Sequence, residues 1–194
     1  PFAFTAGGRQ VLNVVASNVI TSIDAGAQGA FYLADLFLSL ALGLFSISPA
    51  LAYYSRLSEH AVKGPEQFAT TLAEGLRFIT VLTVPAGLAL ALLAAPAVDV
   101  VYNWRSLLGA PMDAQLRAFT IAATMPLGFA VFPIGVFNLL IRTFYVRGLV
   151  RTPVLLVLSF LSVQGFLYWT LSKVWGIAGV AWATAFTAWL QVAV

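Results

Sequence analysis

The sequence predicts an all-α polytopic membrane protein, and both its composition and its charge pattern support that fold class. Of the 194 residues, 61% are hydrophobic and only 9% are charged, and the mean hydropathy is +0.94. Water-soluble domains are about half apolar and about a quarter charged. The few charged residues cluster between apolar runs, so residues 1–194 are expected to fold as a single transmembrane bundle.

Six apolar runs are candidates for transmembrane helices, because about 20 residues cross the hydrocarbon core of a bilayer. Their approximate bounds are 10–26, 29–55, 76–101, 115–142, 153–172 and 175–194. The chain opens with Pro1 and lacks a basic segment followed by an apolar signal core, so it is expected to be an interior piece of a longer protein.

The basic residues set the orientation of these spans. With six spans, one side of the membrane receives seven of the ten Lys and Arg residues and the other receives three. Because Lys and Arg concentrate in cytoplasmic loops, the richer side is predicted to be cytoplasmic. The cytoplasmic set is Arg9, Arg56, Lys63, Arg77, Arg142, Arg147 and Arg151, and the other set is Arg105, Arg117 and Lys173.

Asp35 is the most informative residue of the second span. It is the only acidic residue clearly inside an apolar span, about 10 Å along the helix from Gly29 at 1.5 Å per residue. A carboxylate at that depth is costly, so it is expected to face protein or water and is a functional candidate. The alternative is a carboxylate near the interface that hydrogen-bonds a neighbouring helix.

Polar side chains in the first and fifth spans are further cavity candidates. Asn13, Ser17 and Thr21 recur every four residues and form one stripe, with Asn18 beside it. Such a stripe either joins helices by hydrogen bonds or faces a water-filled cavity. Gln164 lies inside the fifth span.

The segment 57–75 is the one long polar connector. Pro65 suits the first turn of a helix, and Phe68, Leu72 and Leu76 recur every four residues. This pattern predicts an amphipathic helix in the membrane interface.

The fourth span contains a repeated Pro–Gly pair, in which Pro126 and Gly128 recur seven residues later as Pro133 and Gly135. Seven residues are about two helical turns, so both prolines lie on nearly the same face. Each removes a backbone hydrogen bond, so a bent helix and a candidate hinge are expected.

Several function classes lack support in the sequence. There is no cysteine and a single histidine, His60, and no HExxH, GxSxG or Walker A pattern occurs. The sequence therefore predicts no catalytic residue and no metal or cofactor site. Nucleic acid is not an expected partner, because the basic residues mark topology.

Three groups of phrases, taken in order and spacing, resemble those of one known family. They are Ala34-Asp35 with Leu42-Gly43-Leu44-Phe45 and Arg56-Leu57-Ser58, then Phe144-Tyr145 with Arg151-Thr152-Pro153-Val154, then Gly176, Gly179, Ala181, Ala183-Thr184 and Trp189. They resemble the YADR…LPLGLF…P(R/S)LS, FYxxxDxxTPV and GxxGLALATSLAAW phrases of the MurJ/MviN lipid II flippases. Those flippases belong to the MOP superfamily, together with the MATE exporters.

The resemblance covers nearly the whole chain and implies about helices seven to twelve of fourteen, most of a C-terminal lobe. It implies a flippase of the bacterial cytoplasmic membrane that moves a lipid-linked oligosaccharide, the peptidoglycan precursor lipid II, by alternating access. The implied partners are that lipid substrate, membrane lipids and the missing N-terminal lobe. Arg142, Arg147 and Arg151 form a basic cluster that either meets the head group or only sets topology, and Asn138 lies one turn deeper than Arg142.

The chain departs from the family phrases at informative positions. The arginine of YADR, expected to face the central cavity, is Leu36, and the acidic residue of FYxxxDxxTPV is Leu149. Family asparagines of the next helix are Gln164 and Tyr168. Two alternatives therefore stand beside the flippase: a cation-coupled MATE-like exporter that uses Asp35, and a non-transporting membrane scaffold for cell-wall synthesis.

Overall fold

The protein is helical almost throughout. The computed structural model describes residues 14–24, 26–104, 109, 111–149 and 151–193, and no strand occurs among them. The elements are α1 (14–21), α2 (Ala27–Leu42), a π-helical segment (Gly43–Ile47), α3 (Ser48–Lys63), α4 (Pro65–Leu92), α5 (Ala94–Tyr102), α6 (Ala114–Val146) and α7 (Arg151–Ala193). The predicted all-α fold class is confirmed.

The long element α7 is two helices that fold back on each other at Gly176. This glycine has φ 56° and ψ −133°, a conformation that only glycine adopts readily. Tyr168 and Thr184, 16 positions apart, hydrogen-bond at 3.0 Å, whereas a straight helix would separate them by about 24 Å. We call residues 151–175 the first arm of α7 and residues 177–193 the second arm.

Four helical stretches of the described chain are long and apolar enough to cross a membrane. They are Ala27–Lys63, Pro65–Leu92, Ala114–Val146 and Arg151–Ala193, the last of which holds both arms of α7. Each predicted span from the second to the sixth overlaps one of these stretches, and the predicted first span overlaps α1 where it is described. The exact residues within the membrane stay a prediction.

Small side chains allow the helices to pack closely around α6. The larger core cluster joins α1, α2, α6 and α7 and is rich in alanine, for example Ala30, Ala34, Ala130 and Ala183, all with 0% exposure. The smaller cluster joins α3, α4 and α6. Small residues at helix crossings are typical of membrane bundles, where close backbone approach replaces the hydrophobic driving force.

The prolines predicted as a hinge lie inside one continuous helix, and all four Pro–Gly residues of that motif are buried. A Cβ on Gly128 would lie 2.6 Å from the backbone nitrogen of Ala91 and 2.7 Å from the carbonyl oxygen of Gly87. A Cβ on Gly135 would lie 2.9 Å from Thr83. These glycines therefore let α4 approach α6, and their hinge role stays a prediction.

The segment 57–75, predicted to be an amphipathic connector in the membrane interface, is helical on both sides of Gly64. Its residues form the end of α3 and the start of α4, joined at Gly64, whose φ of 137° ends α3. Phe68 is 4% exposed and packs in the smaller core cluster, with Leu72 and Leu76 against it. This apolar face at the start of α4 packs against α3 and α6. It does so because the connector residues are the continuations of α3 and α4.

Polar and charged side chains make contacts at each end of the bundle. At one end Gln115 donates to Asp24 at 2.9 Å, and Arg117 pairs with Asp99. At the other end the Arg147 guanidinium lies 4.7 Å from the centre of the Phe68 ring. Which of the two ends faces the cytoplasm stays a prediction.

Candidate functional site

A cavity of about 920 Å³ lies between α1, α2, α6 and both arms of α7. Its described wall contains an unusual share of the polar side chains of this apolar chain. They are Ser17, Gln28, Tyr32, Asp35, Ser39, Asn138, Tyr145, Gln164, Tyr168, Thr184 and Gln191. A second cavity of about 510 Å³, beside α2, α4 and α5, has a described lining of only Phe, Leu, Ala and Pro. The polar cavity is the candidate site.

One face of α2 supplies the longest strip of this wall. Gln28, Tyr32, Asp35 and Ser39 follow one another at intervals of four, three and four residues, so helical geometry places them on one side. Ala30 and Ala34 pack the opposite side into the core. Asp35 is half-buried and interacts with its surroundings.

The stripe predicted on α1 contributes both to helix packing and to the cavity. Gln28 donates from Nε2 to Ser17 Oγ at 2.8 Å, and Thr21 donates to Gln28 Oε1 at 2.9 Å. Ser17 also lines the cavity. Within the described part of the stripe, Ser17 thus both hydrogen-bonds α2 and lines the cavity, and the function of the stripe stays a prediction.

Asn138 brings α6 to the cavity next to the π-helical segment. Its Nδ2 donates to Ser46 Oγ at 3.3 Å, and Ser46 donates to the carbonyl oxygen of Gly135 at 3.5 Å. Ser46 is fully buried, because the π-helical segment turns it toward α6. These contacts tie the wall of the cavity to an irregular turn of helix.

The two arms of α7 close the wall with a hydrogen-bonded cluster. Gln164 donates from Nε2 to the Tyr168 hydroxyl at 2.7 Å, and that hydroxyl lies 3.0 Å from Thr184 Oγ1. Thr184 in turn donates to the carbonyl oxygen of Val180 at 3.2 Å. The fold of α7 at Gly176 brings these residues together.

The predicted site residues divide into three groups by position. Asp35, Asn138 and Gln164 line the cavity. Arg142, Arg147 and Arg151 do not belong to its described wall; Arg147 stacks on Phe68, and Arg151 is exposed in the first turn of α7. Asn18 is exposed outside the described wall, and Asn13 lies outside the described residues. What each residue does in function stays a prediction.

Several wall residues escaped sequence reasoning. Gln28 and Ser39 had a usable signal, since they extend the helical spacing of Asp35 in both directions. Gln191 likewise lies seven positions after Thr184, on the same face. Thr184 itself had no separate signal, because its place depends on the fold of α7.

The described wall contains almost no acidic or basic side chains. Asp35 is its one acidic residue, and no Lys or Arg is found among the described lining residues. Leu36 stands where the YADR phrase of the resembled family has its arginine. It is 41% exposed and is not part of this lining. Among the described residues no group of three His, Cys, Asp or Glu side chains could hold a metal ion. The wall is suited to hydrogen bonding with uncharged groups.

Comparison with known proteins gives a consistent result. The family model described as "Lipid II flippase MurJ" matches residues 1–194. A probable lipid II flippase MurJ from Vibrio cholerae is 27% identical over 198 aligned positions, which cover 100% of this chain and 36% of that protein. One from Bdellovibrio bacteriovorus is 28% identical over 161 residues, 82% of this chain and 30% of that protein. The chain thus spans about a third of the length of these relatives.

Two solved structures share the fold. One is a lipid II flippase MurJ in an inward closed conformation, with a TM-score of 0.87, 21% identity and coverage of 97% of this chain and 39% of that one. The other is a MOP-superfamily transporter from Pyrococcus furiosus, described as having a binding pocket of reverse polarity. Its TM-score is 0.71 at 16% identity, with coverage of 98% of this chain and 40% of that one.

Proposed function

The chain belongs to the lipid II flippase MurJ family, and from that premise we propose that it forms part of a flippase for a lipid-linked oligosaccharide. The substrate is the peptidoglycan precursor lipid II. The membrane is the bacterial cytoplasmic membrane, and further helices of the same protein complete the transport pathway. The chain is a multi-pass membrane protein and a transporter component, not an enzyme.

The polar cavity is the observation that carries this proposal. A sugar–pyrophosphate head group cannot cross hydrocarbon unless polar groups replace its water. A volume of about 920 Å³ is at the upper end of the usual range for ligand cavities, roughly 300–1,000 Å³. The eleven polar side chains in its wall supply both donors and acceptors.

Alternating access requires that the cavity open to one side of the membrane at a time. Two features of this chain provide places where helices can reorient: the π-helical segment Gly43–Ile47 and the reversal at Gly176. π-Helical turns occur frequently at the functional sites of proteins. The family match favours neither the exporter nor the scaffold.

The test is a lipid II flipping assay on the full-length protein in proteoliposomes. We expect the wild-type protein to flip lipid II, and Ser39→Trp to reduce the rate at least tenfold because the indole fills the cavity. The matched control is Leu51→Trp, since Leu51 is 57% exposed on α3 and lies outside the cavity. Absence of flipping by the wild-type protein, or equal rates for the two variants, would refute the proposal.

A further inference from the structure

Pro133 interrupts the hydrogen-bond ladder of α6 at the point where this helix reaches the polar cavity. Proline has no backbone N–H, and its ring clashes with the carbonyl four residues earlier, which bends a helix away from that carbonyl. Every described residue that α6 contributes to the cavity wall follows this break: Ile134, Phe137, Asn138, Ile141 and Tyr145. The direction of α6 after Pro133 therefore sets the shape of one side of the cavity.

The carbonyl oxygen that Pro133 leaves without its usual helical partner belongs to Phe129. Phe129 lies about midway along Ala114–Val146, one of the stretches apolar enough to cross a membrane. Hydrocarbon contains no water to bond such an oxygen, so a neighbouring helix usually supplies the donor. Here the indole Nε1 of Trp189, on the second arm of α7, donates to it at 3.2 Å. This bond between α6 and α7 thus depends on the missing N–H of Pro133.

Aromatic rings hold the same two helices together around this hydrogen bond. The ring of Trp189 lies 5.4 Å from that of Phe132, and Trp182, two turns earlier on the same arm, stacks on Phe129 at 5.7 Å. Among the described residues Trp182 makes ring contacts, but its indole N–H donates no hydrogen bond. Trp182 and Trp189 therefore allow stacking alone to be compared with stacking plus a hydrogen bond.

The part of α6 after the break is held by a different neighbour. Asn138 Nδ2 donates to Ser46 Oγ at 3.3 Å, and Ser46 lies in the π-helical segment. Trp189 therefore holds α6 just before Pro133, and Ser46 holds it just after. A hydrogen bond to a carbonyl oxygen that has tilted away from the helix axis stabilises the bent helix, because in a straight helix the proline ring crowds that oxygen.

We propose that Trp189 is a positioning residue for transport: its indole N–H stabilises the bend of α6 at Pro133 and so fixes the half of that helix that lines the cavity. The proposal rests on the proposed function, since the cavity is the proposed path of the substrate. Trp189 is not part of the described wall and acts on it only through α6. Loss of the bond lets α6 straighten, and the side chains after Pro133 then turn relative to the rest of the wall.

The test uses the full-length protein, otherwise free of cysteine, with one cysteine placed in the cavity wall. Ile141→Cys reports on α6 after Pro133, and Leu161→Cys reports on the first arm of α7. Trp189→Phe keeps an aromatic ring but loses the N–H. It should change the rate at which a water-soluble maleimide labels Ile141→Cys about fivefold, as expected for one lost hydrogen bond, and lower the lipid II flipping rate by a similar factor. The labelling rate of Leu161→Cys should stay within about twofold of the rate without the Trp189 change.

Trp182→Phe is the matched control, since it makes the same substitution on the same arm without removing a hydrogen bond. It should leave the labelling rate of Ile141→Cys and the flipping rate within about twofold of their unmodified values. Pro133→Ala supplies the decisive comparison, because it restores a backbone N–H for the carbonyl oxygen of Phe129. In that background Trp189→Phe should have no further effect on either rate.

The outcomes separate a positioning role from a structural one and from the proposed function. Equal changes in labelling for Trp189→Phe and Trp182→Phe would overturn the proposal, as would a full effect of Trp189→Phe in the Pro133→Ala background. A lower melting temperature with unchanged labelling would also overturn it, since an indole that only stabilises the fold gives that result. If Trp189→Phe does not fold, adding Pro133→Ala should restore the melting transition, and failure to do so would count against the proposal. Labelling and melting require no transport, so a wild-type protein that flips no lipid II would refute the proposed function and leave this test readable.

Discussion

Asp35 is a carboxylic side chain inside an apolar span, and it faces a cavity lined by hydrogen-bonding groups, as such residues usually do. An ionised acceptor forms hydrogen bonds about twice as strong as a neutral one. In the proposed flippase, the carboxylate is placed to accept from hydroxyl or amide donors of the head group. The same charge opposes anion binding at this wall.

Replacement of Asp35 by asparagine tests that role, because the amide keeps the shape and one acceptor oxygen while it removes the charge. We expect Asp35→Asn to lower the lipid II flipping rate of the full-length protein about tenfold, the difference between a charge-assisted and a neutral hydrogen bond. Glu66→Gln, at an exposed position in the first turn of α4, is the control and should keep the wild-type rate. Similar rates for the Asp35 and Glu66 variants would contradict this role.

Sequence reasoning identified the cavity residues that are conspicuous by themselves. Asp35, Asn138 and Gln164 are polar side chains inside apolar runs, where an unsatisfied polar group is costly. Thr184 was missed because threonine is common in membrane helices and its importance depends on which helix it faces. Arg142, Arg147 and Arg151 were candidates because of their charge, yet their helix positions place them outside the described wall.

At the scale of helices, α4 and α6 cross in close contact, which the sequence only hinted at. Gly87 and Gly128 meet backbone to backbone: a Cβ on Gly87 would lie 2.6 Å from the carbonyl oxygen of Gly128. That carbonyl oxygen belongs to the backbone and not to a flexible side chain, so a methyl group on Gly87 fits only if the two helices separate. This explains why a Pro–Gly motif that suggests bending also serves for packing.

Gly128→Ala should therefore destabilise the protein, by about 1–3 kcal/mol as for other overpacked cores. The measurement is the melting temperature of the full-length protein in detergent. Gly43→Ala is the matched control, because a Cβ there meets nothing within 4 Å. A melting temperature for Gly128→Ala equal to that of Gly43→Ala would show that α4 and α6 are not in close contact.

The fold class could be predicted because hydrophobic length is a local property of the chain. The two irregular features could not. The π-helical segment Gly43–Ile47 contains no proline and is apolar throughout except for Ser46, so nothing local distinguishes it from α-helix. The sequence predicted a boundary between two spans near Gly176. It did not predict that Tyr168 and Thr184 lie opposite each other, because that depends on the φ of 56° at Gly176.

At the scale of the whole molecule, charges and contacts agree on which residues share an end. Arg56 pairs with Glu74 at 3.4 Å, and Arg147 stacks on Phe68, so the ends of α3 and α6 meet at the start of α4. The contact between Asp24 and Gln115 joins the opposite ends of α1 and α6. The positive-inside rule then assigns the end with Arg56 and Arg147 to the cytoplasm.

Cysteine labelling can test this orientation directly, since these 194 residues contain no cysteine. Ser58→Cys lies near the end of α3 and Ala114→Cys at the start of α6, and both positions are exposed. In intact cells of a full-length protein otherwise free of cysteine, a membrane-impermeant maleimide should label Ala114→Cys and not Ser58→Cys. Permeabilised cells should label both, which controls for reactivity. The reverse pattern in intact cells would contradict the predicted orientation of the bundle.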